Sequence, residues 1–217
     1  NKKMKINILI SKNSWANSYK IEIKKKLKKF SKNISFNHDH KKIKKGTDIN
    51  IIFSYFKKIQ LKYLNYSKYN LIPHESKLPK GKGMSPLSWQ LLENKGAIFF
   101  SLIEAENSLD SGRIYLQKKI TIPKNIVFRE IKELQLSVNL SLIAMFLAKL
   151  KKNKNIIGKR QKGNSTFYPK RSYKHSIINI NKSIKSQFNL LRICDPERYP
   201  AYFKYKNKTY LIKIFPK

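Results

Sequence analysis

Tyr69-Asn70-Leu71-Ile72-Pro73-His74, running on into Glu75-Ser76-Lys77-Leu78-Pro79-Lys80-Gly81-Lys82-Gly83, is the stretch on which the fold turns. Residues 69–72 are a short run rich in apolar side chains, as strands buried on both faces are. A histidine that closes such a strand stands at the carboxyl edge of the sheet, where open α/β folds bind their ligands. The prolines and glycines that follow fix a loop whose backbone can approach a ligand closely. Lys80 and Lys82 place positive charge beside it.

Toward the N-terminus, Met4–Ile10 reads as a first strand, Ser11–Asn17 as a polar loop around Trp15, and Ser18–Phe30 as a helix with Ile23, Leu27 and Phe30 on one face. Its lysines read as a wet face. Asn33–Phe36 and Asp48–Phe53 are two further strands. Toward the C-terminus, Ser85 is placed to cap a helix that begins at Pro86. Strands at Ala97–Ile103 and Ile114–Ile120 and a long helix over about 124–151 follow. This alternation predicts an α/β, doubly wound sheet. Lys151–Lys174 is polar and reads as an excursion over the surface. Asn181 is placed to cap a helix carrying Ile184, Phe188 and Leu191, and Ala201–Tyr205 to pair with Thr209–Phe215 as a terminal hairpin. No internal repeat is visible.

With 217 residues the chain suits one main core and a small appendage. A net charge of +36 would ordinarily suggest a polyanion partner. The excess is lysine, however, with only 6 arginines, whereas readers of bases and phosphates favour the planar arginine fork. Abundant Lys, Asn and Ile also follow from AT-rich coding, so a solvated lysine surface is the simpler reading. A basic RNA-binding protein is the rival from a different class, and it predicts salt-sensitive binding that is indifferent to His74. The lone cysteine, Cys194, allows no intrachain disulfide and no thiol cluster for zinc. The longest apolar run, Leu140–Ala148, is far below the ~20 residues of a membrane helix. A cytoplasmic, non-membrane protein without a metal is expected.

Glu104-Ala105-Glu106-Asn107-Ser108-Leu109-Asp110-Ser111-Gly112-Arg113-Ile114 sets an acid and a glycine turn between two strands, in a chain with 12 acidic residues. Alone, His74 could be a satisfied structural histidine and Asp-Ser-Gly an ordinary turn. Their conjunction is what points to chemistry.

His-x-Ser-x-Leu-Pro-x-x-x-Gly, then Ser-Pro-x-x-Trp, then Asp-x-Gly-x-Ile resemble the 10-formyltetrahydrofolate-dependent formyltransferases. Thr166–Arg171, the 179–184 region, Leu191-Arg192 and Tyr199–Phe203 are similar to the segment that follows the catalytic domain in sugar-modifying members. The resemblance implies a Rossmann-like, mostly parallel sheet with a small C-terminal helix and β-hairpin. It implies a catalytic domain over 1–155 and an extension over 156–217 that contributes to acceptor binding. The activity implied is formyl transfer from 10-formyltetrahydrofolate to an amino-sugar nucleotide. Members acting on tRNA carry a further β-barrel, for which the segment after Lys151 is too short, so nucleic acid is not an expected partner; a homodimer is left open.

By the same resemblance His74 is the base and Asp110 its carboxylate. An imidazole suits proton acceptance near neutrality, and a carboxylate would orient the ring. Tyr55, Phe56 and Ile59 on one loop, with Glu104 and Ala105 on another, would hold the folate's pterin; core packing is the alternative for Tyr55 and Phe56. Asn13, Trp15, Ser76, Lys80, Lys82, Gly83, Arg192, Tyr199 and Phe203 would meet the acceptor, although an aromatic in a terminal hairpin is often core. The family's hydrogen-bond donor to the formyl oxygen is an asparagine two residues before the histidine, where this chain has Ile72. Asn70 shares its face but lies ~6.6 Å further back. A backbone amide, Ser76 or protonated His74 are the substitutes.

Overall fold

A computed structural model describes residues 4–153 and 155–217. In chain order it contains β1 (Lys5–Leu9), α1 (Lys20–Leu27), β2 (Asn33–Asn37), β3 (Thr47–Ile52), α2 (Leu61–Leu64), β4 (Ser67–His74), β5 (Lys82–Gly83), α3 (Pro86–Leu92), β6 (Ala97–Glu104), β7 (Ile114–Thr121), α4 (Phe128–Lys152), β8 (Phe167–Tyr168), α5 (Ile184–Ile193), β9 (Ala201–Tyr205) and β10 (Lys208–Ile212). Six strands form the central sheet in the order β2-β1-β3-β4-β6-β7. The first four are parallel, and β6 and β7 run antiparallel to their predecessors. The result is an α/β fold with a mostly parallel sheet and a C-terminal helix and hairpin.

The alternation of strand residues divides the sheet into two unlike faces. Ile6, Ile8, Ile49, Ile51, Tyr69 and Leu71 pack with Ile23 and Leu27 of α1 and with Leu142, Ile143, Phe146 and Leu147 of α4 in the main core. Asn7, Asn50 and Asn70 are out of phase with these residues and stand in register across β1, β3 and β4. Among the described residues, the four-residue α2 and the segment following a 3-10 turn at His40–Lys42 contribute to a smaller cluster of Leu9, Ile43, Ile52, Ile59, Leu64 and Ala105. The expected doubly wound cover is therefore unequal, with the long helices on the main-core side. α4 is long and apolar enough by composition to cross a bilayer, but 56% of its most apolar window is buried inside the protein, so it is a core helix.

Several local expectations need correction. Residues 15–19 form a 3-10 turn capped by Ser14, so the first α-helix starts at Lys20 and stops before Phe30. Ser85 does not cap α3 with its side chain, because its backbone is left-handed (φ 54°); Pro86 does occupy the first turn. α5 is capped by Ser183, whose hydroxyl accepts from Ser186 N, and not by Asn181, and Ile184 is exposed. The hairpin turns on Lys206-Asn207, both at positive φ, as a two-residue loop matching the strand twist requires. Around it Ile178, Leu191, Cys194 and Ala201 form a small cluster.

Candidate active site

His74 is the last residue of β4 and is 5% exposed. Its Nε2 lies 2.8 Å from the Gly81 carbonyl. A carbonyl can only accept, so Nε2 carries the hydrogen and Nδ1 is the nitrogen left to exchange a proton. Nδ1 faces Oδ2 of Asp110 at 3.7 Å, too far for a hydrogen bond. The ring is thus oriented by main chain and not, as expected from sequence, by the carboxylate. Asp110 is itself held: its Oδ2 accepts from Gly83 N at 2.8 Å, and its backbone is left-handed at φ 46°.

The polar 151–174 segment, largely exposed as expected, also clamps both loops. Gln161 Nε2 donates to the Asp110 and Gly112 carbonyls at 2.7 and 2.9 Å. Thr166 accepts from Gly81 N through Oγ1 and from Lys82 N through its carbonyl, and β8 pairs with β5. Two glycines permit this closeness. A Cβ at Gly83 (φ 97°) would run into the Tyr168 carbonyl, and one at Gly112 into the Glu104 carbonyl.

Lys82 is not an exposed cation: it is buried and its Nζ donates to Ser111 Oγ at 2.9 Å. Lys80 is exposed. Ser76 is buried, and its Oγ has no hydrogen-bond partner among the described residues. Asn70, by contrast, is fully engaged. Its Nδ2 donates to Leu64 O at 3.0 Å and faces Glu104 Oε1 at 3.4 Å, so it has no amide hydrogen to offer a substrate.

Of the residues expected at the folate, Ile59 and Ala105 are buried in one small apolar cluster, with Tyr55 and Ile72 packed against it. The Tyr55 hydroxyl is tied to His40 Nδ1 at 2.8 Å. Phe56 is 55% exposed and lines an open hollow of about 610 Å³. The Glu104 carboxylate points into protein contacts, accepting from Asn70 N at 2.8 Å and from the Tyr115 hydroxyl at 2.7 Å. Burial pushes it up to about 7, against the pull of these donors.

Of those expected at the acceptor, Asn13 and Trp15 line a cleft of about 410 Å³ together with Phe128, Lys132, Asp195 and Arg198. Arg198 ties the C-terminal segment to the first loop by donating from Nη1 to Asn13 O at 2.7 Å. Lys132 and Arg198 carry no sequence motif and were not singled out. The Lys132 ammonium sits 5.0 Å over Trp15 and 5.5 Å over Phe128, and donates to Gln135. Burial lowers it to about 8 although nearby Glu75 pulls the other way. Two turns further along α4, Asn139 donates to Glu75 Oε1 at 2.8 Å, so a polar track leads from the cleft to the neighbour of His74. Three expected acceptor residues lie elsewhere. Arg192 is 3% exposed, with Nε on Asn189 and Nη1 on the Pro123 carbonyl, which leaves it no diphosphate to meet. Phe203 packs in the small C-terminal cluster and stacks on Tyr210, and Tyr199 is exposed beyond the cleft. Among the described residues no group of three His, Cys, Asp or Glu converges as a metal site would.

This fold is that of the formyltransferases. A methionyl-tRNA formyltransferase from Clostridium thermocellum superposes with TM-score 0.76 at 17% identity, covering 97% of this chain and 92% of that one. A 4-N formyltransferase from Francisella tularensis gives 0.69 at 13%, covering 97% of each. HypX from Aquifex aeolicus, solved with tetrahydrofolic acid, gives 0.79 at 17%, over 97% of this chain and 37% of that one. Sequence comparison finds similarity to the same kind of protein: the chain is 31% identical over 143 residues to methionyl-tRNA formyltransferase of Thermodesulfovibrio yellowstonii, covering 65% of this chain and 46% of the relative. It is 26% identical to that of Syntrophomonas wolfei, over 92% and 62%. The chain thus spans about half the length of the curated relatives it matches. No family model matches it.

Proposed function

We propose that this chain transfers the formyl group of 10-formyltetrahydrofolate to the amine of an amino-sugar nucleotide. The observation that carries the reading is the buried His74–Asp110 pair at the carboxyl edge of β4, with the ring's hydrogen fixed on Nε2. His74 Nδ1 takes the amine proton as the new C–N bond forms and returns it to the folate nitrogen as the old one breaks. Asp110, across the gap, stabilises the imidazolium between these steps. The folate supplies the formyl carbon. The apolar wall of Ile59, Ala105, Tyr55 and Ile72 suits a flat ring, with nearby backbone for its polar edges. Negative charge gathering on the formyl oxygen needs a hydrogen-bond donor; with Ile72 apolar and Asn70 engaged, the unpartnered Ser76 hydroxyl takes that role.

For the acceptor, the cleft between the first loop, α4 and the 195–198 segment has the volume of a small-molecule site. Its cations and its Trp15 face suit phosphates and a ring, and residues 156–217 contribute to it. The second reading, transfer to methionyl-tRNA, is favoured by the names of the sequence relatives. The deciding experiment offers 10-formyltetrahydrofolate with a panel of amino-sugar nucleotides and, separately, with methionyl-tRNA. Formylation of a sugar amine, lost in His74→Ala, is expected. Formylation of the tRNA alone would replace the acceptor, and no transfer to either would sink the reading.

A further inference from the structure

The backbone amides of residues 81–84 all have protein partners, and they divide between two neighbours. Gly81 N donates to Thr166 Oγ1 at 2.8 Å, Lys82 N to the Thr166 carbonyl at 2.9 Å and Met84 N to the Tyr168 carbonyl at 3.1 Å. Gly83 N turns the other way, to Asp110 Oδ2, and the Gly81 carbonyl faces His74 Nε2. Residues 81–84 are thus a template, with the 166–169 segment on one side and both candidate catalytic groups on the other. That segment is pinned by α3, which follows the template directly. Trp89 donates from Nε1 to the Pro169 carbonyl at 2.8 Å, and its ring stacks on Tyr168 with centroids 6.4 Å apart and planes at 11°. The Tyr168 hydroxyl donates to Glu93 Oε2 at 2.8 Å, and Lys95 Nζ pairs with the same carboxylate oxygen at 2.6 Å. His175 meets Trp89 edge-on.

We infer that Trp89 is a positioning residue, which fastens the 166–169 segment onto the template and so sets both His74 and Asp110. Its bearing on catalysis rests on the formyl-transfer reading. β5 and β8 are two residues each, too short a pairing to persist without side-chain support. Without the indole the segment is released, and the amides of 81, 82 and 84 turn to water. The Gly81 carbonyl then loses its fixed direction, and the ring hydrogen of His74 is free to move to Nδ1, the nitrogen that must stay open to accept a proton. Gly83 N is displaced with its neighbours, and the Asp110 carboxylate loses its anchor.

Two measurements on the full chain test this without any substrate. Nitrogen NMR shifts of the His74 ring, assigned by their loss in His74→Gln, should report one Nε2–H tautomer in the wild type and a mixture in Trp89→Leu. Hydrogen exchange of peptides covering 81–84 should quicken about tenfold in Trp89→Leu, while peptides of α4 stay as protected as before. Thr166→Val removes only the hydroxyl that Gly81 N uses and should move the tautomer in the same direction, which keeps the test alive should Trp89→Leu fold poorly. An unchanged tautomer in either folded variant, unaltered exchange at 81–84, or exchange that quickens equally along α4 overturns the assignment. In the transfer assay, kcat of Trp89→Leu should fall about tenfold with both KM values kept within about twofold. Trp89→Phe keeps a stacking face and should recover part of that loss. A rise in KM with kcat unchanged, or equal losses in Trp89→Leu and Trp89→Phe, overturns the positioning role. Absence of transfer by the wild type strikes the functional reading alone, and the ring and exchange measurements still decide the rest.

Discussion

The two faces of the central sheet are built from alternate residues of the same strands, yet they do different work. On one, Ile6, Ile8, Ile49, Ile51 and Leu71 vanish beneath α1 and α4. On the other, Asn7, Asn50 and Asn70 bond to one another beneath a thin cover, and the same β4 alternation runs on through Ile72 to His74. Apolar burial is strong and non-directional, so the first face tolerates shape changes but resists loss of volume. Hydrogen bonds are weak net and costly to leave unmade, so the second face fixes positions. Stability therefore resides mainly on the helix-covered face, and site geometry on the other.

The largest expected effect tests that division directly. His74→Ala should reduce formyl transfer by about 10²–10⁴-fold, the range of a lost acid–base group, while thermal unfolding shifts by only a few degrees. Phe146→Ala, on the helix-covered face where its ring meets Tyr69 and Tyr115 edge-on, should do the converse. Chemical denaturation should show a loss of about 3–5 kcal/mol, with kcat of the folded fraction kept. If Phe146→Ala lowers kcat as sharply as it lowers stability, the faces are not separable.

The helix-covered face was the legible one. Runs such as Ile49–Ile52 and the helical spacing of Ile23 and Leu27 announce burial by composition and period alone, so strand positions were read to within a few residues. His74, Asp110 and the glycine loop were legible as a motif. What was hidden depends on contacts between distant segments. Nothing local in Gln161 or Thr166 says that they clamp the loops of Asp110 and Gly81, and a lysine at 132 looks like any other in so basic a chain. Arg192 erred the other way: a cation near an acceptor motif suggested a ligand, but the fold turns it to the Pro123 carbonyl.

Glu104 gives the next effect, about 3 kcal/mol at most. Its folded value is raised from 4.5 to about 7, so the stabilisation from its bound proton is full below 4.5 and lost as pH rises through 7. Urea midpoints of wild type and Glu104→Gln should diverge over that window, with the wild type losing ground as pH rises. Parallel midpoints from pH 5 to 8 would mean that Glu104 is solvated in the folded chain.

The smallest effects come from the asparagine ladder on the second face, and their gradient is informative. Asn50 is fully buried between two partners, so Asn50→Ala strands both the Asn7 amide and the Asn70 carbonyl oxygen and should cost about 2 kcal/mol. Asn37 stands at the partly exposed end, and the Asn7 oxygen it serves retains Ser35 Oγ at 3.2 Å. Asn37→Ala should therefore cost only about 0.5–1 kcal/mol, because water and Ser35 take over the lost bond. The two substitutions share Asn7, so the double variant should cost less than the sum of the singles. Additive costs would show that the amides act as isolated pairs. Coupled costs would mean that the second face behaves as one hydrogen-bonded unit from its open edge to the root of the Asp110 loop.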